Sequence, residues 1–188
     1  MRKIEKRSIF CLILAALLGL GLAFFCFQFV VDGGDWASYP YNRHLYNNAG
    51  QLKGGTILDR DGDMLSTLDE DGNRIYNDDA TVRRATLHAV GDKNGNIGAG
   101  ALTSFADKLS GYNLLTGVYS PLGTGNSLYL TIDAYLNNVA YQALNGMNGT
   151  VGIYNYKTGE ILCMVSTPTF DPANPPDIAA DDPAWDGV

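Results

Sequence analysis

The sequence predicts an α+β protein carried on one N-terminal transmembrane helix. Three observations predict it. Residues 9–31 form an uncharged apolar run of 23 residues. Beyond that run, short β-type runs around Asp-Gly turns alternate with stretches whose apolar residues recur at helical spacing. Residues 150–174 read as an antiparallel hairpin followed by a proline-rich extended segment. The implied order is a cytoplasmic tail (1–8), a transmembrane signal anchor (9–31), a membrane-proximal mixed α/β module (32–124) and a strand–helix–hairpin unit that opens a second domain (125–188).

The anchor is read from length and flanks. A helix of that length spans about 35 Å, against a hydrocarbon core of about 30 Å. Arg2, Lys3, Lys6 and Arg7 against Glu5 give the first eight residues a net charge of +3, which sets the N-terminus in the cytoplasm and the bulk outside. The run ends on Phe24-Phe25-Cys26-Phe27-Gln28-Phe29, too bulky for a signal-peptide cleavage site, so the anchor is expected to stay uncleaved. Nothing in it is ionisable, which makes it a tether.

The rest of the chain carries 9 basic and 19 acidic residues. Such a surface repels a polyanion and sets nucleic acid aside as a partner. Cys11 and Cys26 lie in the anchor and Cys163 stands alone, so the exported part has no disulfide framework. His44 and His88 are isolated and are read as surface or packing residues, not zinc ligands.

In chain order, residues 32–52 are polar and aromatic. Trp36, Tyr39, Tyr41 and Tyr46 suit either the membrane interface or early packing, and Asn42-Arg43 marks a start of structured chain. Thr56-Ile57-Leu58 and Met64-Leu65 flank an Asp-Gly turn and read as strand–turn–strand. Asp59, Asp61, Asp63 and Glu70 fall at positions 1, 3, 5 and 12 of a calcium loop, but Met64 stands where its glycine belongs, and calcium is rejected. Asp69-Glu70-Asp71-Gly72-Asn73 is a second acidic turn. After Arg83 and Arg84, residues 85–90 read as a strand, and residues 91–100 as an exposed glycine-rich loop without the ending of a phosphate loop. Ala101, Leu102, Phe105, Ala106 and Leu109 predict a helix stopped by Ser110-Gly111.

Residues 127–132 alternate like a strand. Asp133 is placed to cap a helix whose apolar stripe is Ile132, Leu136, Val139, Ala140, Ala143, Leu144 and Met147, with Asn145-Gly146 as its stop. Residues 151–154 and 161–165 make the hairpin around Asn155-Tyr156-Lys157-Thr158-Gly159-Glu160, Gly159 supplying the positive φ. Pro168, Pro172, Pro175 and Pro176 forbid a regular element beyond it, and the segment is expected to run out extended with nothing behind it to pack on.

These residues resemble a family. Gly125-Asn126-Ser127-Leu128-Tyr129-Leu130-Thr131-Ile132-Asp133 is similar to the Leu-Thr-Ile-Asp entrance of penicillin-binding transpeptidase domains. Thr158 to Ser166, with Pro168, Phe170, Asp171, Pro172 and Asn174, resembles their first hairpin and the segment after it. Gly55-Thr56-Ile57-Leu58-Asp59-Arg60-Asp61-Gly62 resembles the Arg-Gly-x-Ile-x-Asp-Arg-x-Gly segment near the start of class B members. The arginine of that segment is replaced by Gly54, with Lys53 one place earlier, which loosens a packing or salt-bridge role. Asn137 stands where glutamine is usual and Cys163 where alanine is usual, both read as tolerated variation.

The resemblance implies acyl transfer in peptidoglycan cross-linking, by a serine that penicillin traps, with motifs Ser-x-x-Lys, Ser-x-Asn and Lys-Thr/Ser-Gly. No serine here has lysine at +3 or asparagine at +2. Lys157-Thr158-Gly159 spells the third motif but precedes any nucleophile and forms a hairpin turn, so it is read as a solvent-facing turn. No catalytic, cofactor-binding or metal residue is assigned, and no cofactor is expected. The chain is expected to be the N-terminal portion of a class B penicillin-binding protein, cut short by a gene-model break or frameshift and inactive alone, with Ser-x-x-Lys beyond Val188. Its partners are the membrane, other cell-wall synthesis membrane proteins and, only through the missing catalytic part, peptidoglycan stem peptides and β-lactams. The alternative is a non-catalytic membrane-anchored interaction module of a wall-synthesis complex.

Overall fold

The computed structural model describes residues 2–37, 54–111, 115 and 125–176. The tyrosines at 39, 41 and 46, His44, the Asn42-Arg43 start and the last twelve residues lie outside the described residues. The first element is α1 (Arg2–Ala37), a helix long and apolar enough to cross a membrane. It runs past the expected end of the anchor through Asp32 and Asp35, and its C-terminal end meets the second short helix of the module, described below. Trp36 is exposed there.

A four-stranded sheet follows, from β1 (Thr56–Leu58), β2 (Met64–Leu68), β3 (Arg74–Tyr76) and β4 (Ser127–Tyr129), in the order β3-β2-β1-β4. The two acidic turns make the β1–β2 and β2–β3 hairpins, with Gly62 and Gly72 at positive φ. β4 joins β1 in parallel, so the sheet unites residues on both sides of the expected 124/125 boundary. The expected strand over 127–132 is shorter: Leu130 still donates to the Leu58 carbonyl, but Thr131 and Ile132 turn away. Glycines make this approach possible. A Cβ on Gly125 would stand 2.3 Å from the Gly55 nitrogen and 2.4 Å from the Leu109 carbonyl oxygen. The buried Arg74 guanidinium donates to the carbonyls of Gly55 and Gly54, at 2.7 and 2.6 Å, and burial pulls its pKa down to about 10.

The expected strand at 85–90 is instead the end of helix α2 (Ala80–Val90). Asp79 caps it by accepting from the Thr81 amide at 2.7 Å. Ala85, Thr86, Ala89 and Val90 bury one face together with the partly buried Val82, a spacing of three and four residues that the flanking arginines obscure. The glycine-rich loop is exposed at residues 94–96, 98 and 99, while Gly91, Asp92, Ile97 and Gly100 are buried. Asp92 is buried, its Oδ1 accepting from the Ile97 amide and its Oδ2 from the Asn94 amide and Asn96 Nδ2. The single helix expected over 101–109 is two turns, α3 (Ala101–Ser104) and α4 (Ala106–Leu109), broken at Phe105. The break lets Ala101, Leu102, Ala106 and Leu109 all reach the core while Phe105 faces solvent.

Helix α5 (Ala134–Leu144) starts at Asp133, which accepts from the Leu136 amide, and ends at Asn145 in the left-handed region, as its sequence predicts. Its buried face is narrower than the expected stripe: Ala134, Asn137 and Ala140 are buried, whereas Val139, Ala143 and Met147 are exposed. Strands β5 (Gly149–Tyr154) and β6 (Ile161–Thr167) form the expected hairpin, with Gly159 at φ +79°. Ala134 shares one core cluster with Ile57, Leu65 and Leu109, while Ala140, Cys163 and Val165 form another. The segment after β6 does not run out unsupported, because Phe170 is buried against Leu87 and Ile97.

Candidate functional site

The chain's long-range polar contacts gather at the junction between the sheet module and the α5–β5–β6 unit. The first seam is Asp59, at the end of β1 and 1% exposed. Its Oδ1 accepts from the amides of Asp61 and Asp63, both at 2.9 Å, closing the β1–β2 turn. Its Oδ2 accepts at 3.1 Å from the amide of Ala134, the first residue of α5. A carboxylate there satisfies an amide the helix cannot and sits at the positive end of its dipole. The Arg60 amide donates to the Ile132 carbonyl beside it. The acidic turn is therefore an anchor for α5; among the described residues no group of three potential metal ligands comes together.

The second seam closes the outer edge of β6. The Asp133 amide donates to the Leu162 carbonyl at 2.9 Å, and Thr131 Oγ1 donates to the Ile161 carbonyl at 2.7 Å. Asn137 is wholly buried and works in both directions. Its Nδ2 donates to the carbonyls of Asp133 and Leu162, at 2.7 and 3.3 Å, while its Oδ1 accepts from the Met164 amide at 3.1 Å. Asn137 is thus the pin between α5 and β6. Cys163, the other departure, is buried among Ala140 and Val165, and burial first, then the negative charge of Asp133, pushes its thiol pKa up. That makes it an inert packing residue.

The third seam ties the segment after β6 to α2. Arg83 donates through Nε and Nη2 to the two carboxylate oxygens of Asp171, each at 2.7 Å. Its Nη1 donates to the carbonyls of Asn77 and Asp78. Thr169 Oγ1 donates to the Arg84 carbonyl at 3.0 Å. The Arg83 hydrogen bonds hold the Asp171 carboxyl below its ordinary range, and Asp171 in turn raises the Arg83 pKa. Together the seams form a circuit from the module through α5 and β6 and back to α2.

No part of this junction pairs a nucleophile with a base among the described residues. Ser66, Ser104 and Ser110 donate to main-chain carbonyls, and Ser166 pairs with Thr150. Lys157 lies exposed in the hairpin turn, its Nζ 5.8 Å from the centre of the Tyr156 ring, while Thr158 pairs with Glu160. The three seam residues Asn137, Arg83 and Asp171 carry no local signal of their role. Arg83 and Asp171 are 88 positions apart, and only the resemblance around Phe170-Asp171-Pro172 drew attention to one of them.

His88, on α2, has both ring nitrogens buried with no hydrogen bond, and burial lowers its pKa. A depressed histidine contributes its full stability above the unfolded value, about 6.5, and loses it as pH falls through the folded value. His88→Leu should therefore be neutral or stabilising at pH 7.5 and should flatten the loss of Tm between pH 7 and pH 5. A pH profile unchanged by the substitution would contradict this.

No protein-family profile matches the chain. The peptidoglycan D,D-transpeptidase MrdA of Acinetobacter baumannii is 48% identical over 48 residues, which is 26% of this chain and 7% of that protein. MrdA of Haemophilus influenzae is 39% identical over 51 residues, 27% of this chain and 8% of that protein. The crystal structure of Pseudomonas aeruginosa PBP2 in complex with WCK 5153 shares the fold, with a TM-score of 0.50 and 24% identity over 65% of this chain and 29% of that one. The chain thus matches less than a third of the length of each of these proteins. In fold over most of its length and in sequence over about a quarter of it, the chain is like the N-terminal portion of a class B penicillin-binding protein.

Proposed function

We propose that this chain is the membrane-anchored N-terminal part of a peptidoglycan D,D-transpeptidase, in which a serine beyond Val188 carries out the acyl transfer. One observation carries the reading: local identity to two such transpeptidases, in a chain whose fold is shared with a further penicillin-binding protein. In this reading residues 9–31 hold the protein in the membrane, with the basic tail in the cytoplasm and the module outside. The module sets the start of the catalytic domain at a fixed relation to the anchor, while residues 125–188 begin that domain. Stem peptides and β-lactams then meet only the whole protein, and other cell-wall synthesis membrane proteins meet the anchor and module.

The test is covalent labelling with a fluorescent penicillin. The 188-residue chain should give no labelled band, because no serine in it has a lysine at +3. The product of the same gene read on through the downstream sequence should label. A labelled band from the short chain would overturn the reading.

A second reading has one observation in its favour. Along residues 161–164 the outer edge of β6 is met by Thr131, Asp133 and Asn137, so this part of the edge already has partners. That suits a non-catalytic interaction module that folds as it stands. Capture of a cell-wall synthesis membrane protein by the short chain, with no penicillin labelling of the read-through product, would favour it over the transpeptidase fragment.

A further inference from the structure

We propose that residues 168–174 act as a strap latched to the first turns of α2, so that the β3–α2 turn and the path leading out of the hairpin open and close together. One guanidinium makes the coupling. Arg83 grips the strap through both oxygens of Asp171, and with its remaining Nη1 it grips the Asn77 and Asp78 carbonyls in the turn that starts α2. Its planar fork satisfies the two sets only when turn and strap are both in place. Asp171 also organises the strap internally, accepting from the Ala173 amide through Oδ1 and from the Asn174 amide through its carbonyl. Beside the ion pair, Phe170 fills a pocket between Leu87 of α2 and Ile97 of the following loop. The Thr169 hydroxyl adds a bond to the Arg84 carbonyl.

The strap is thus held by side chains of the module and not by a sheet ladder, whereas the hairpin before it has its own ladder and its own core. A segment held this way opens below the global unfolding free energy. Whatever displaces the first turn of α2 releases the strap, and whatever pulls the strap loosens that turn. The proposal stands on this geometry alone and holds whether or not the transpeptidase reading does.

Hydrogen exchange on the full chain in detergent micelles tests it. Arg83→Gln should speed exchange of the Ala173 and Asn174 amides at least tenfold, the ratio that corresponds to about 1.4 kcal/mol, with the β5–β6 ladder unchanged. Asp171→Asn, made on the strap, should speed exchange at Thr81 and Arg83 in the first turns of α2, since coupling is reciprocal. The double variant should add little to either single one. Thr169→Val, a milder change, should act on the strap in the same direction by a few fold. Strap exchange that rises without any change in α2, or that rises together with the hairpin, or that does not rise at all, overturns the latch.

Discussion

Asp59→Asn should destabilise the chain by about 2–3 kcal/mol, and Asp59→Ala by about 3–5 kcal/mol. The difference separates two jobs of one carboxylate. Asn keeps an oxygen for the Asp61 and Asp63 amides in the β1–β2 turn, where both residues are exposed and water is a ready substitute. Its amide nitrogen then faces the buried Ala134 amide, donor against donor, at the start of α5. Most of the cost therefore falls on the seam between module and helix, not on the turn. Urea denaturation of the variants in micelles gives the magnitudes. The exchange rate at the start of α5 gives the location. An Asp59→Asn variant within about 0.5 kcal/mol of the parent, the range typical of surface substitutions, would contradict the assignment.

Asn137→Leu should cost about 3 kcal/mol although it keeps the branching and heavy-atom count of the side chain. The loss is in hydrogen bonding, and its parts are unequal. The Leu162 carbonyl keeps the Asp133 amide, and the Asp133 carbonyl keeps the Asn137 amide as its helical partner. The Met164 amide loses its Oδ1 acceptor in a partly buried place. An unpaired buried donor costs about 1–3 kcal/mol, more than a lost bond between groups that find other partners. The strand edge should respond as well: amide exchange at Met164 should rise with little change in β5. Asn137→Ala adds a cavity and should be worse. An Asn137→Leu variant as stable as the parent would mean that α5 and β6 hold by packing alone.

Local features of the fold were legible because local physics decides them. Asp133 and Asn145 sit at the ends of α5 where side-chain capping and a left-handed stop require them, and the Asn155–Glu160 loop with Gly159 closes the hairpin. Residues 85–90 resemble a strand because β-prone Thr86 and Val90, between two arginines and a glycine, mask a buried helical spacing that begins earlier, at Val82. The stripe of α5 was drawn too wide, because apolar character alone does not say which residues find a partner; Val139 and Met147 remain exposed.

The junction was the least legible part. Asp59 announced a turn, and nothing near it announced Ala134, 75 positions later. Arg83 looked like half of a basic pair on a surface, yet its partner is Asp171. Asn137 gives no local sign of its role, because its hydrogen bonds run to the main chain of another element, and main-chain atoms leave no mark in the residue pattern. In each case the missing information is a contact across the chain, which loop-closure geometry and packing set, not local propensity.

The proposal that this chain opens a transpeptidase, with catalytic motifs past Val188, is tested by the nucleotide sequence immediately 3′ of the Val188 codon in the native genome, read in all three forward frames. The expected result is Ser-x-x-Lys, then Ser-x-Asn, then Lys-Thr/Ser-Gly, in that order, in one of the frames. A stop followed by unrelated sequence in every frame would contradict it, leaving a membrane-anchored module whose partners are other proteins.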